Sequence, residues 1–173
     1  MHMISKGFIV LCGLVLIACS PSVEFSEDGP KATHKDFEAI AGDWQGTLTY
    51  ADYSSGKRTV IASNASVSPV NSNRINYTVS YPNEPWEDTK SSLTISKQGR
   101  LLEGHVISER NVNDKGVLIF VTLYQGEDDN RPATIRQTYG LSATHFFIRK
   151  EVQFDGEEAF LFRNIYQFTR AID

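Results

Sequence analysis

Four histidines and two cysteines are the side chains of this chain best suited to metal or thiolate chemistry. His2, His34, His105 and His145 stand singly, and Cys12 and Cys19 are not at metal-ligand spacing. Carboxylates gather in Glu127-Asp128-Asp129-Asn130 and Asp155-Gly156-Glu157-Glu158. Neither run sets oxygens at calcium-loop spacing, so both read as solvated turns. Glu103, Glu109 and Glu151 are scattered, and no pairing for acid–base work is legible. There is no Gly-x-Ser-x-Gly elbow and no glycine-rich phosphate loop. The sequence therefore offers no catalytic constellation and no metal site. One cofactor stays open: haem, with His145 as axial ligand and Phe146 and Phe147 as flanking rings. The competing reading makes His145 a surface or hydrogen-bonded residue.

Cys19 has the most informative surroundings. Lys6 precedes an apolar run over residues 8–18. That run is shorter than the roughly 20 residues a spanning helix needs. Residues 1–18 have the length and flanks of a secretory signal peptide. Leu16-Ile17-Ala18-Cys19 resembles the lipobox of bacterial lipoproteins. The resemblance implies that Cys19 becomes the new N-terminus and carries a diacylglycerol on its sulfur. Two or three acyl chains anchor far more firmly than one, so it implies a cell-envelope protein held to the membrane. Ser20, where aspartate would favour the inner membrane, implies the outer membrane in a Gram-negative source. With Cys12 in the discarded segment, no intramolecular disulfide can form.

The remaining chain suits one domain. The full sequence has 173 residues, 40% of them hydrophobic, and a net charge of −4. No basic stripe appears, which argues against nucleic acid as a partner. Residues 19–35 are rich in Ser, Pro, Gly and charge, the composition of a flexible tether. The folded domain is expected over 36–173.

The elements that must position any site read as strands. Thr33-His34-Lys35-Asp36 is a helix-start box, followed by Phe37 and Ile40 at helical spacing and stopped by Gly42. After it, β-rich runs cover 43–53, 57–67, 74–81, 91–97, 101–109, 117–124, 133–140, 144–154 and 159–169. Turn residues separate them, and Asp155-Gly156 is the strongest hairpin signal. Alternation is clear: Trp44, Gly46, Leu48 and Tyr50 oppose Asp43, Gln45, Thr47 and Thr49. One wet and one dry face marks antiparallel sheet. Short connections make neighbours of consecutive strands, and a meander of about 8–10 strands closes to remove its edges. The fold class is all-β: an antiparallel up-and-down barrel with a short N-terminal helix. A two-sheet sandwich needs longer crossings than this chain supplies. An outer-membrane barrel needs longer strands with an apolar outside.

Gly42-Asp43-Trp44 at the start of the first strand resembles the Gly-x-Trp pattern of lipocalins and wider calycins. Their Thr-Asp-Tyr signature is absent, which implies an outlying relative. The chain is also similar to uncharacterised bacterial lipocalin-like lipoproteins carrying Tyr-Pro-Asn-Glu-Pro (81–85) and Arg-Lys-Glu-Val-Gln-Phe (149–154). The resemblance implies that Trp44 plugs the closed end and a basic residue lies across its ring. Arg170 matches that position, with Arg163 second. It also implies a small hydrophobic or amphipathic ligand inside the barrel. Tyr50, Tyr77, Tyr81, Phe120, Phe147 and Tyr166 are the expected lining residues. The alternative is a ligand-free module contacting another envelope protein through Trp86 in the proline-rich 81–86 segment. An interior of roughly 300 Å³ or more separates the two readings.

Overall fold

The computed structural model describes residues 29–170. The signal-peptide reading, Cys19 and the tether up to residue 28 lie outside the described residues.

A five-residue helix α1 (His34–Glu38) precedes ten strands. These are β1 (Gly42–Ala51), β2 (Arg58–Asn71), β3 (Arg74–Ser80), β4 (Thr89–Thr94), β5 (Leu101–Leu102), β6 (His105–Val112), β7 (Leu118–Asp128), β8 (Arg131–Leu141), β9 (His145–Phe154) and β10 (Leu161–Arg170). All pairings are antiparallel, and β1 meets β10, so the meander curls on itself. The barrel is nearly closed. Its seam is a single bridge between Ile95 and Leu102, flanked by a Glu103 N–H donating to the Thr94 carbonyl. Strand β5 is two residues long, so among the described residues no strand pairs the free edge of β4 from Thr89 to Leu93. The wall has a side window there.

The expected run over 101–109 splits into β5 and β6 because Glu103 and Gly104 both take positive φ, 55° and 79°, and turn the chain. A two-residue hairpin joins β7 to β8 at Asp129 and Asn130, whose φ angles of 51° and 56° suit a type I′ turn. Asp155-Gly156 also forms a turn.

The closed end explains the Gly-x-Trp motif. Gly42 sits at φ 106°, and a Cβ there would lie 3.0 Å from Arg170 Nη1. Trp44 is 1% exposed and donates its indole N–H to the Ile40 carbonyl at 2.8 Å. Its ring meets Phe146 edge-on, centroids 4.8 Å apart. The Arg170 guanidinium lies 3.9 Å from the Trp44 ring centroid. It also donates to the carbonyls of Ala41, Ala39 and Ala143 at 2.6, 2.9 and 3.2 Å. A cation bonding the last carbonyls of a helix complements its C-terminal dipole. Below, Phe37 of α1 stacks on Phe120 at 5.9 Å, and Asp36 pairs with Arg110 at 2.8 Å. Residues 29–33 lie against the turn after β4: Ala32 is buried, and its N–H reaches the Gly99 carbonyl.

Candidate functional site

Above that plug the barrel is hollow, with an interior cavity of about 290 Å³. Its floor is apolar: Phe146 and Ile148 from β9, Phe168 from β10, Ala65 from β2 and Val79 from β3. Phe146 and Phe168 pack 4.6 Å apart and form the aromatic base. Its walls are polar: Tyr77, Gln137, Asn164 and Tyr166. Thr89, Lys90 and Ser91 line it at the unpaired β4 edge, so the cavity opens through the side window. A separate void of about 10 Å³ near Ile40, Val67 and Leu141 is too small for a ligand.

A polar layer lies over the cavity. Lys150 on β9 is the direct neighbour of Gln137 and Asn164 across the sheet. It shares the inward side with Phe146, Ile148 and Val152 by alternation. Its Nζ is 2.6 Å from Asp128 Oδ2, and Arg163 Nε is 3.2 Å from Asp128 Oδ1. Asp128 is therefore a buried counter-ion rather than a solvated turn residue, which corrects the reading of that acidic run. Above it Ala133, Ile135, Val152 and Phe154 form a second apolar cluster, capped by Tyr53 and Tyr124. The interior thus runs from aromatic plug to hollow, ionic layer and apolar cap.

The expected lining residues separate. Tyr77 and Tyr166 line the cavity. Tyr81 reaches it indirectly, sharing a 2.8 Å hydrogen bond between its hydroxyl and that of Tyr166. Tyr50 is half-buried on β1, away from the cavity lining. Phe120 is spent in the closed end against Phe37. Phe147 points outward, its ring filling the space a Cβ on Gly140 would need, and Phe146 takes the inward place. A one-residue difference in register exchanges the two faces of a strand. His145, the haem option, is exposed at the start of β9 and bonds Thr144 Oγ1 through Nδ1 at 2.8 Å. His105 stacks on Tyr124 with centroids 3.5 Å apart. Among the described residues no group of three or more His, Cys, Asp or Glu could hold a metal ion.

Burial shapes the phenols. Tyr166 is raised above the ordinary tyrosine pKa, first by burial and then by the Tyr81 hydrogen bond. Tyr139 is raised by burial and by the charge of Glu103. Burial and the Asp128 charge raise Tyr124, and push Tyr53 up to about 12 from 10.0. A tyrosine is neutral below its pKa, so the folded state binds protons that the unfolded state has lost once pH exceeds 10.0. Stability is fully present below that pH and falls as pH rises toward 12. Alkaline titration should show phenolate absorbance from these four residues appearing together with loss of β-sheet circular dichroism. Smooth ionisation near the ordinary value in a still-folded chain would contradict it.

No protein-family model matches the chain, and no curated protein matches it. Among solved structures, it is similar to the wild-type fluorescent protein UnaG, with 9% sequence identity and a TM-score of 0.41. That match covers 78% of this chain and 99% of the other. It is also similar to a protein of unknown function of the DUF3598 family from Nostoc punctiforme. There the identity is 9%, the TM-score 0.39, and the coverage 84% of this chain and 51% of the other.

Proposed function

We propose that this barrel binds one small amphipathic molecule in its interior and works at the cell envelope, tethered through a lipid on Cys19. The observation that carries the binding reading is the 290 Å³ cavity with an aromatic floor, polar walls and a side opening. Small-molecule sites occupy about 300–1,000 Å³, so this one suits a compact ligand. At about 30 Å³ per water, it equals roughly ten waters of liquid volume. The apolar floor would take the body of the ligand. Tyr77, Gln137, Asn164 and Tyr166 would orient its polar end, since hydroxyls and amides both donate and accept.

Native mass spectrometry of the protein purified without denaturant tests this directly. A single small bound mass, absent after denaturation, is expected. A clean apo mass, together with no uptake from a mixture of aromatic and aliphatic small molecules, would refute it.

The anchor rests on the lipobox resemblance. The ten steps from Cys19 to Gly29 span at most about 35 Å. The chain joins the barrel at its closed end, beside Gly99. Among the described residues no helix is long and apolar enough to cross a membrane. Cys19→Ser should move the protein from the membrane to the soluble fraction, and retention in membranes would reject the anchor.

A second reading has its own observation. Trp86, on the short 3₁₀ turn Pro85–Glu87, is 76% exposed. It does not fold over the barrel, and exposed tryptophans favour protein contacts. Cross-linking in intact membranes with wild type and Trp86→Ala would reveal such a partner. No tryptophan-dependent product would discard this second reading.

A further inference from the structure

We infer that the molecule held in this cavity is an amphipathic anion whose charged end rests at Lys90, an inference that builds on the binding reading above. Of the described residues lining the cavity, Lys90 alone carries a charge, and none is a carboxylate. Lys90 also lines the shallow hollow on the outer face of β3 and β4, with Asn76 and Thr78. It therefore stands at the rim, between the interior and the solvent. That place follows from the fold: β4 is an edge at this point, so an outward residue still borders the opening.

Among the described residues Lys90 has no ion-pair partner. Asp88, two residues away, accepts the Tyr81 N–H at 2.8 Å. Glu103, across the seam, accepts from the Thr94 hydroxyl and N–H. In the polar layer, Lys150 and Arg163 face Asp128, two cations against one carboxylate. A neutral ligand gains nothing from the unpaired ammonium at the rim. A carboxylate gains a charge-assisted partner at the rim, with Ser91 and Thr89 hydroxyls beside it as neutral donors. A cationic ligand meets repulsion from the Lys90 ammonium.

The test uses the purified chain and two probes with the same apolar body, 2-naphthoic acid and 2-naphthalenemethanol, by isothermal calorimetry at pH 7. The acid should bind about tenfold more tightly, the size of a hydrogen bond to a charged group. In Lys90→Met, a change at an exposed position, the ratio of the two affinities should fall to near one. Equal binding of both probes to the unaltered protein overturns the charge preference and leaves the binding reading standing. A preference for the acid that persists in Lys90→Met overturns the assignment to this lysine. Binding of neither probe removes the cavity reading and this inference together.

Discussion

Trp44→Ala should cost this barrel about 3–5 kcal/mol, the range for emptying a large aromatic from a well-packed core. A domain of this size has about 5–15 kcal/mol to lose, so the variant will be marginal. The cost is large because three interactions end at one ring. The indole covers the floor at 1% exposure and meets Phe146 edge-on. Its N–H satisfies the Ile40 carbonyl, which would otherwise be left without that partner. The ring also carries the Arg170 guanidinium, which in turn bonds three carbonyls around the end of α1 and the β8–β9 turn. Alanine removes the platform and leaves a charged fork with less to rest on. Trp44→Phe keeps part of the ring and loses the N–H, and should fall in between. Urea unfolding followed by far-ultraviolet circular dichroism reads this as a drop in midpoint of about 2 M at an unchanged slope. A midpoint within about 0.5 M of the parent would show that the plug is not a keystone of the closed end.

The fold was legible in the sequence because its strands carry local rules that tertiary context did not need to override. Thr33 and Asp36 start α1 as a box, with the Thr33 N–H on Asp36 Oδ2 at 2.8 Å. Alternation along β1 and β3 states the inner face plainly. The aromatic plug was legible for the same reason: a large ring at a strand start and a cation at the last strand's end must meet when β1 pairs β10, and Trp44 is in fact opposite Arg170. The cavity was less legible. Around Phe146-Phe147-Ile148 three apolar residues run together, and period-two reading loses its phase. The phase is recoverable from Phe146, Ile148, Val152 and Phe154, but the charge of Lys150 interrupts that series. Lys150 belongs on the inner face only because Asp128 follows it inside, from the end of a different strand 22 residues earlier. Composition cannot show a charge pair made across the barrel. Asp128 looked like one more acidic turn residue, yet it is buried at the end of β7, held by Lys150 and Arg163, while Asp129 and Asn130 beside it are exposed. The side window was equally hidden, since a two-residue β5 leaves no periodicity to read.

Val79→Phe should abolish ligand uptake while leaving the barrel folded. Val79 is 4% exposed, lines the cavity, and pairs with Ala65 on β2 and Thr89 on β4. It therefore stands at the back of the opening. Phenylalanine adds four carbons there, and the hollow in front of it gives the ring somewhere to go. Overpacking a filled core typically costs about 1–3 kcal/mol. At the edge of a cavity the penalty is at the low end, because the added atoms fill space instead of displacing neighbours. Affinity for 2-naphthoic acid should fall by about 100-fold or more, since a site that loses its volume loses the apolar burial that drives binding. Val60→Phe provides the matched control. Val60 is on β2 at 60% exposure, outside the cavity lining, so the same chemical change there should alter affinity less than about twofold. If both variants bind as the parent does, the molecule is held somewhere other than the hollow. If both lose binding equally, the loss reflects the scaffold and not the space. Only a loss confined to Val79 requires the ligand and the added ring to compete for one volume, and that competition is what distinguishes a working cavity from an incidental void.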